Sequence, residues 1–217
     1  MKKTITLLFI LLSWQGFSTE TFSNYYYQKV SLFEQLPVSS GDILFVGDSI
    51  TDGAEWSELF ADARIKNRGI SGDTVAGVAA RLPSLLKFQP DRIFLMIGTN
   101  DVKFEKSDEA IASRIAAVIG TIRKESPRTV VFLQSLLPMN PSFSDHKQHV
   151  RQWRRIPRIN LLLKDAAETA QIRYIDLYSA FADENGRLKE EYTNDGLHLT
   201  GNGYRLWKSL IEKYVTD

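Results

Sequence analysis

The chain has 217 residues, of which 43% are hydrophobic and 24% charged, a composition typical of one globular domain or at most two small ones. It contains no cysteine, which excludes thiol nucleophiles, cysteine-ligated zinc and iron–sulfur clusters. Its 27 basic and 26 acidic residues give a formal net charge of +1. Such a balance gives no overall attraction to phosphate backbones, so nucleic acid is not an expected partner.

The N-terminal residues have the layout of a secretory signal peptide. Two lysines near the start precede an apolar run from Ile5 to Leu12, and small residues follow at Gly16 and Ser18. The run is too short to span a bilayer, and the alternative is a buried or interfacial helix. We expect residues 1–18 to be a cleaved signal peptide and the mature protein to be exported, periplasmic or secreted, without a membrane anchor.

Beyond a polar and aromatic lead-in (19–41), short apolar runs alternate with segments of helical periodicity. The strand candidates are Ile43 to Val46, Ile65 to Asn67, Arg92 to Ile97, Thr129 to Gln134 and Ile172 to Ile175. The helical segments are 73–86, 107–124, one from about Pro157 to Gln171 and one that follows Thr200.

This alternation predicts parallel strands joined by right-handed crossovers, with helices on both faces of the sheet. The runs 92–97 and 129–137 are nearly continuously apolar, as expected for strands covered on both faces. No repeat, low-complexity tract or Pro/Gly-rich linker divides the chain. We therefore predict one three-layer α/β/α domain with a five-stranded parallel sheet over residues 42–217.

Polar, chemically capable residues follow the first three predicted strands. They occupy 47–49, 69–74 and 98–101, directly after the apolar runs. In parallel sheets ligands bind where loops leave the carboxyl ends of the strands. The sequence therefore predicts a functional site at this edge of the sheet.

Ser49 is the candidate nucleophile. A serine hydroxyl on a sharp turn from strand to helix is exposed and lies beside backbone N–H donors. The alternative is that Asp48 or Ser49 caps the next helix, but Asp52 and Glu55 have the spacing of a capping box that would serve this purpose.

His198 is the candidate base, with Asp195 three residues before it in "NDGLHLT". A short loop can place the carboxylate below the imidazole, so that Asp195 accepts from one ring nitrogen while the other faces Ser49. The same letters could form a simple turn with a surface histidine. A turn and a catalytic loop are compatible, so both interpretations stay open.

Ester hydrolysis also needs donors for the developing oxyanion. Gly72 can offer a backbone N–H without an obstructing side chain, and Asn100 can offer its amide. Each alone is an ordinary turn residue. The remaining histidines, His146 and His149, lack an evident third ligand, so we expect no metal site and place them in a solvated loop or helix start near the pocket rim.

Four blocks, "GDSIT", "NRGISGDT", "GTND" and "DGLHLT", resemble in order and spacing those of the SGNH hydrolases, also called the GDSL esterase/lipase family. The resemblance extends from about Asp42 to Tyr214 and implies a flavodoxin-like sheet. Ile50 stands where the family's four-letter name has leucine. The fuller pattern is similar to the bacterial branch related to platelet-activating-factor acetylhydrolase and carbohydrate O-acetylesterases. No serine lies in the Gly-x-Ser-x-Gly signature of the α/β-hydrolases.

The resemblance implies a role for each candidate: Ser49 is the nucleophile and first oxyanion donor, Gly72 and Asn100 are further donors, and His198 is the base with Asp195 as its partner. It implies hydrolysis of a short acyl ester, acetyl in the first instance, without a cofactor. A small acyl ester or an acetylated glycan is the expected partner.

Aromatic residues could line the substrate pocket. Trp56, Phe143 and Trp153 are candidates, with core packing as the alternative for all three and the favoured one for Trp56. Three other functions stay open at this point: a lysophospholipase or lipase acting on longer chains, an acyltransferase using the same serine, and a non-catalytic glycan-binding domain.

Overall fold

A single parallel sheet organises the structure, a computed structural model that describes residues 21–36, 38–104 and 107–216. Its strands are β1 (Ile43–Gly47), β2 (Ile65–Gly69), β3 (Arg92–Met96), β4 (Val130–Gln134) and β5 (Arg173–Ile175). The order is β2-β1-β3-β4-β5, and every neighbouring pair is parallel. The predicted five-stranded parallel sheet is confirmed. The predicted signal peptide, 1–18, lies outside the described residues.

Helices flank the sheet. In chain order they are α1 (Asn24–Gln35), α2 (Ser49–Asp52), α3 (Trp56–Phe60), α4 (Val75–Leu86), α5 (Asp101–Phe104), α6 (Asp108–Glu125), α7 (Lys147–Val150), α8 (Ile156–Thr169), α9 (Tyr178–Phe181) and α10 (Gly201–Thr216). Short 3-10 turns lie at Trp153–Arg155 and Glu190–Tyr192. The four long helices predicted from periodicity correspond to α4, α6, α8 and α10. Within the described ranges, no helix combines the length and apolar character that crossing a bilayer requires.

Side-chain caps fix where two of these helices begin. The hydroxyl of Thr74 accepts a hydrogen bond from the Gly77 N–H, so α4 begins after Thr74. The hydroxyl of Ser107 accepts from the Ala110 N–H and begins α6 in the same way. The start of α4 directly after Thr74 places the preceding loop, 70–74, at the carboxyl end of β2.

An aromatic ladder covers one face of the sheet. Phe45, Phe94 and Phe132 stand side by side on β1, β3 and β4, with stacked rings whose centroids are 4.9 and 4.7 Å apart. Trp56 of α3 stacks on Phe45 at 4.2 Å, and Trp207 of α10 packs edge-on against Trp56 at 4.9 Å. The helices α3 and α10 therefore form the layer on this face.

The opposite face carries the alternate strand residues, because side chains along a strand point to opposite sides. Leu44 and Val46 of β1, and Ile93 and Leu95 of β3, are at most 1% exposed. The helix α6 packs against both α4 and α8, and the three form the third layer. Burial on both faces explains why the central strands are continuously apolar in the sequence.

The lead-in contains a helix, α1, that the sequence pattern does not assign. Tyr26 is its one buried residue, which leaves too narrow an apolar face for a periodicity signal. The Tyr26 hydroxyl donates to the Gly77 carbonyl of α4 over 2.8 Å. The Lys29 ammonium pairs with Asp52 over 2.7 Å. The helix α1 is thus docked on the sheet domain.

Candidate active site

The first strand ends where the chain makes a close turn into α2. A Cβ added at Gly47 would lie 2.2 Å from the Thr51 hydroxyl oxygen, so only glycine fits this approach. Asp48 accepts the Ile50 N–H over 3.0 Å and caps α2, whose first residue is Ser49. The turn therefore presents the Ser49 hydroxyl at the carboxyl edge of the sheet.

The predicted capping box of Asp52 and Glu55 is wrong. Glu55 precedes α3 but makes no side-chain capping bond. Asp52 instead accepts from the Lys29 ammonium at 2.7 Å, the Tyr25 hydroxyl at 2.9 Å and the Ser71 hydroxyl at 2.9 Å. Its carboxylate ties α1 and the loop after β2 to the serine turn, and these long-range partners outcompete a local cap.

Three side chains from opposite ends of the sequence form a hydrogen-bonded relay. His198 Nε2 lies 3.0 Å from Ser49 Oγ, and His198 Nδ1 lies 2.7 Å from Asp195 Oδ2. The second carboxylate oxygen, Asp195 Oδ1, accepts the N–H groups of Leu197 and His198, each over 2.8 Å. The structure thus brings together the serine, histidine and aspartate that the sequence singles out.

Protonation states follow from the chemistry of the carboxylate. Burial alone would raise the pKa of Asp195, but hydrogen bonds from the His198 ring and from the backbone of His198 and Leu197 lower it to about 2. An ionised carboxylate only accepts hydrogen bonds, so His198 Nδ1 carries the ring proton. In the neutral form of the imidazole the lone pair is then on Nε2, which faces the Ser49 hydroxyl as a proton acceptor must.

The first three strands end at one level. In the sheet register, Gly47 of β1 pairs with Gly69 of β2 and with Met96 of β3. The loops that follow, 70–74 and 97–100, therefore leave the sheet beside the serine turn. This is also where the strand order reverses, the usual position of a ligand crevice in an open parallel sheet.

The two predicted oxyanion donors lie in these adjoining loops. Asn100 is 9% exposed, and its Nδ2 donates to the carbonyl of Asp73, the residue after Gly72, over 2.8 Å. Gly72 has a φ of +80°, a conformation that favours glycine, and a Cβ added there would meet no heavy atom of the described residues within 4 Å. Backbone conformation, rather than crowding within the protein, explains the glycine. The role of both residues as donors stays a prediction.

A buried ion pair that was not predicted from the sequence supports the loop after β2 and the serine turn. Arg81 pairs with Asp73 over 2.9 Å, and both side chains are at most 1% exposed. The Arg81 guanidinium also donates to the carbonyls of Arg68 at 2.8 Å and Gly47 at 3.2 Å. The sequence does contain a sign of this ion pair: Arg81 lies on the otherwise apolar face of α4, and a buried guanidinium requires an acidic or polar partner.

The two remaining histidines, His146 and His149, also lie at the site. His146 Nε2 lies 3.1 Å from Asp195 Oδ2, and the His146 and His198 ring centroids are 4.8 Å apart. His149 Nε2 lies 3.1 Å from Asn100 Oδ1. The predicted position near the pocket rim agrees with this placement, but neither partner could be read from the sequence.

One set of side chains in the described ranges could hold a metal ion. Donor atoms of His146, Asp195 and His198 all lie within 4.8 Å of one another. His149 does not complete this set, because it faces Asn100 instead. Hydrogen bonds already link the three side chains through Asp195 Oδ2, and the expectation of no metal site stays a prediction.

The expectation that Trp56 contacts substrate is wrong. Its side chain is 1% exposed and lies in the aromatic layer between Phe45 and Trp207. Its Nε1 donates to the Thr51 carbonyl over 2.8 Å. A ring that is so completely buried cannot contact a ligand, so Trp56 belongs to the core.

The other two aromatic candidates differ in position. A Cβ added at Gly196 would lie 3.1 Å from the Cβ of Phe143, which places Phe143 against the residue that follows Asp195. Trp153 packs against the core, with the Arg187 guanidinium 5.8 Å from its ring centroid. Phe143 is therefore the aromatic side chain that adjoins the relay loop.

Asp48, beside the serine, is a buried acid with an unusual pKa. Burial raises the pKa of Asp48 to about 7, and the nearby carboxylates of Asp73 and Asp101 raise it as well. The hydrogen bond from the Ile50 N–H lowers the pKa, and the hydroxyl of Thr99, which lies beside the carboxyl group, lowers it too, but burial outweighs both. The folded state therefore holds a proton on Asp48 that the unfolded chain releases near pH 4.

We expect Asp48→Asn to stabilise the protein more at high pH than at low pH. The folded state binds this extra proton between about pH 4 and pH 7, so the free energy of unfolding of the wild type falls as pH rises through that window. Asparagine keeps the acceptor for Ile50 and can donate to Thr99. The gain in Tm should grow by on the order of 5 °C between pH 5 and pH 8. An equal gain in Tm at both pH values would contradict this expectation. The charge-matched control is Asp165→Asn, at an exposed position, whose effect on Tm should not depend on pH in this way.

Comparisons with known proteins agree with this geometry. The model of the GDSL-like lipase/acylhydrolase family matches residues 45–206. The rat platelet-activating factor acetylhydrolase IB subunit alpha2 is 31% identical over 179 residues, covering 79% of this chain and 75% of the relative. The matched region contains the serine turn, both donor loops and the Asp195–His198 loop.

Solved structures share the architecture. A candidate platelet activating factor from Streptococcus pneumonia superposes with a TM-score of 0.79 at 30% identity, over 88% of this chain and 92% of the other. An acetylxylan esterase from Geobacillus stearothermophilus superposes with a TM-score of 0.64 over 82% and 95% of the two chains. At 19% identity, the second likeness bears on the fold alone.

Proposed function

Because the chain belongs to the GDSL-like lipase/acylhydrolase family, we propose that it hydrolyses short-chain acyl esters, acetyl esters above all, through an acyl-enzyme on Ser49. Membership of this family makes the chain an ester hydrolase. The observation that carries the acyl-enzyme mechanism is the unbroken relay from Asp195 through His198 to Ser49, with contacts of 2.7 and 3.0 Å. Such a relay is the arrangement that activates a serine hydroxyl.

In the acylation step, Ser49 Oγ attacks the ester carbonyl while His198 Nε2 takes the hydroxyl proton. Asp195 keeps the ring in the required tautomer and stabilises the imidazolium. The imidazolium then protonates the departing alcohol, which leaves the acyl group on Ser49. In deacylation the same nitrogen takes a proton from a water molecule that attacks the acyl carbonyl, and it returns this proton to Ser49 Oγ as the acyl–serine bond breaks and the acid leaves. No step requires a cofactor.

The tetrahedral oxyanion needs donors that are in place before the reaction. Ser49 is the first residue of α2, so its N–H has no acceptor within the helix and can donate to an oxyanion. The Gly72 N–H and the Asn100 amide come from the neighbouring loops. Three donors from three adjoining strand ends would then converge on the oxygen.

An acetylated polar compound is the substrate class that we propose. A relative with 31% identity is named an acetylhydrolase, and an acetylxylan esterase shares the fold, so the scaffold is compatible with an acetylated carbohydrate. Phe143 beside the relay loop offers a ring on which a sugar could stack. The near-balanced charge favours an uncharged substrate over a polyanion.

A panel of p-nitrophenyl esters, run beside O-acetylated xylo-oligosaccharides, tests the proposal. We expect kcat/KM to be highest for acetate and to fall at least ~10-fold by octanoate, because the proposed preference for acetyl requires an acyl site that rejects added methylenes. Free acetate should appear from the sugar in step with deacetylated product. A preference for the octanoate ester would favour a lipase, and transfer of acetyl to added sugar without free acetate would favour an acyltransferase.

A further inference from the structure

We propose that His149 is a positioning residue that holds the Asn100 amide in the orientation in which its free N–H points to the oxyanion. The imidazole donates from Nε2 to Asn100 Oδ1 over 3.1 Å. The inference rests on the proposed function, because it assumes that Asn100 is an oxyanion donor. It gives a role in catalysis to a histidine that is not part of the Ser49–His198–Asp195 relay.

The orientation of the amide follows from its partners. Asn100 Nδ2 lies 2.8 Å from the Asp73 carbonyl, which can only accept a hydrogen bond, so this end of the amide is the nitrogen. The other end is the oxygen, which also only accepts. His149 Nε2 must therefore carry a hydrogen and donate it to Asn100 Oδ1.

Two contacts fix a planar group that one contact would leave free. The terminal torsion of asparagine is broad, so the Asp73 bond alone would allow the amide to rotate. With Oδ1 held by His149, one hydrogen of Nδ2 is committed to Asp73, and its second hydrogen has no partner in the described ranges. This second hydrogen is the one available to an oxyanion.

The charge state of His149 suits this task. Burial lowers its pKa, and Lys103, His146 and His198 lower it further by charge repulsion. The ring is therefore neutral near pH 7 and carries a single proton, which the contact with Asn100 places on Nε2. A neutral donor orients the amide without adding a competing cation to the site.

The segment that carries His149 is anchored at its other end by His146. His146 Nε2 contacts Asp195 Oδ2 at 3.1 Å, so residues 146–149 touch both the relay and the oxyanion side. His146 has a φ of +46°, an unfavourable conformation for a non-glycine residue that surrounding contacts must outweigh. This turn directs α7 and its histidine toward Asn100.

A matched set of variants tests the role. His149→Gln keeps an N–H near the position of Nε2, whereas His149→Met has a similar length and no donor. We expect kcat of His149→Met to fall about tenfold with KM nearly unchanged, a part of the ~10²–10³ that one oxyanion donor supplies. His149→Gln should stay within about threefold of wild type, as should Gln148→Met, an exposed neighbour on the same turn.

The double variant with Asn100→Ala identifies the path of the effect. Asn100→Ala alone should lower kcat about 100-fold, and adding His149→Met should lower it no further, because the group that His149 positions is gone. If Asn100→Ala is impaired but His149→Met equals wild type, the inference fails and the proposed function stands. A fully active Asn100→Ala enzyme would remove the donor role from the proposed function and with it this inference.

Two further results bear on the inference. An equal loss from His149→Met in both backgrounds would show that His149 acts by another route and would overturn it. Should His149→Met fold poorly, His149→Glu replaces it, since glutamate has the shape of glutamine but only accepts. A glutamate variant as active as the glutamine variant would likewise overturn the role.

Discussion

Replacing Ser49 with alanine is expected to lower kcat by about 10⁵-fold or more without disturbing the fold. The Ser49 hydroxyl makes its hydrogen bond to His198 Nε2, at 3.0 Å. The structural role of the residue is in its main chain, whose carbonyl accepts the Gly53 N–H at 3.0 Å. Alanine keeps that bond and has high helix propensity, so the loss should be chemical.

A burst experiment measures this directly. With p-nitrophenyl acetate the wild type should release about one equivalent of p-nitrophenol per chain before steady state, provided that deacylation is the slower step, and Ser49→Ala should release none. Ser209→Ala, an exposed hydroxyl on α10, is the matched control and should keep full activity. A variant at position 49 that retains more than about 1% of kcat would show that another group is the nucleophile.

The sheet was predictable because its central strands are buried on both faces. Leu44 and Ile93 lie on one face and Phe45 and Phe94 on the other, all 0% exposed, so the sequence shows uninterrupted apolar runs rather than alternation. Parallel connectivity then requires the carboxyl ends of the strands to share an edge. This single topological fact places loops that are far apart in the sequence beside one another.

The same reasoning explains why the relay could be predicted but the supporting contacts could not. Asp195 and His198 are three residues apart, and a local turn suffices to join them. The bonds from Asp52 to Lys29 and to Ser71 cross between α1, α2 and the loop after β2. Nothing in the local pattern near residue 52 distinguishes a carboxylate that caps a helix from one that joins three segments.

The region between β4 and α8 shows a second limit. Its residues have no sustained periodicity, and its course depends on the left-handed conformation of His146. Non-glycine residues rarely adopt that conformation, so propensities cannot predict it. Trp56 shows a different limit. Its position close to the nucleophile in the sequence suggests a contact with substrate, but its large apolar ring is buried in the core.

His198→Ala is the second variant with a large expected effect. The imidazole contacts Ser49 and Asp195 rather than the substrate, so we expect kcat to fall about 10⁴-fold or more while KM changes little. The residual rate should rise with pH, because hydroxide must then replace the missing base.

Combining the two substitutions tests whether the serine and the histidine act as one unit. Once the Ser49 hydroxyl is absent, His198 has no proton to accept, so Ser49→Ala with His198→Ala should be no slower than Ser49→Ala alone. Multiplied losses would instead assign the histidine a separate task. Retention of more than about 10% of kcat by His198→Ala would point to His146, 3.1 Å from Asp195, as an alternative base, and would reassign proton transfer within this histidine cluster.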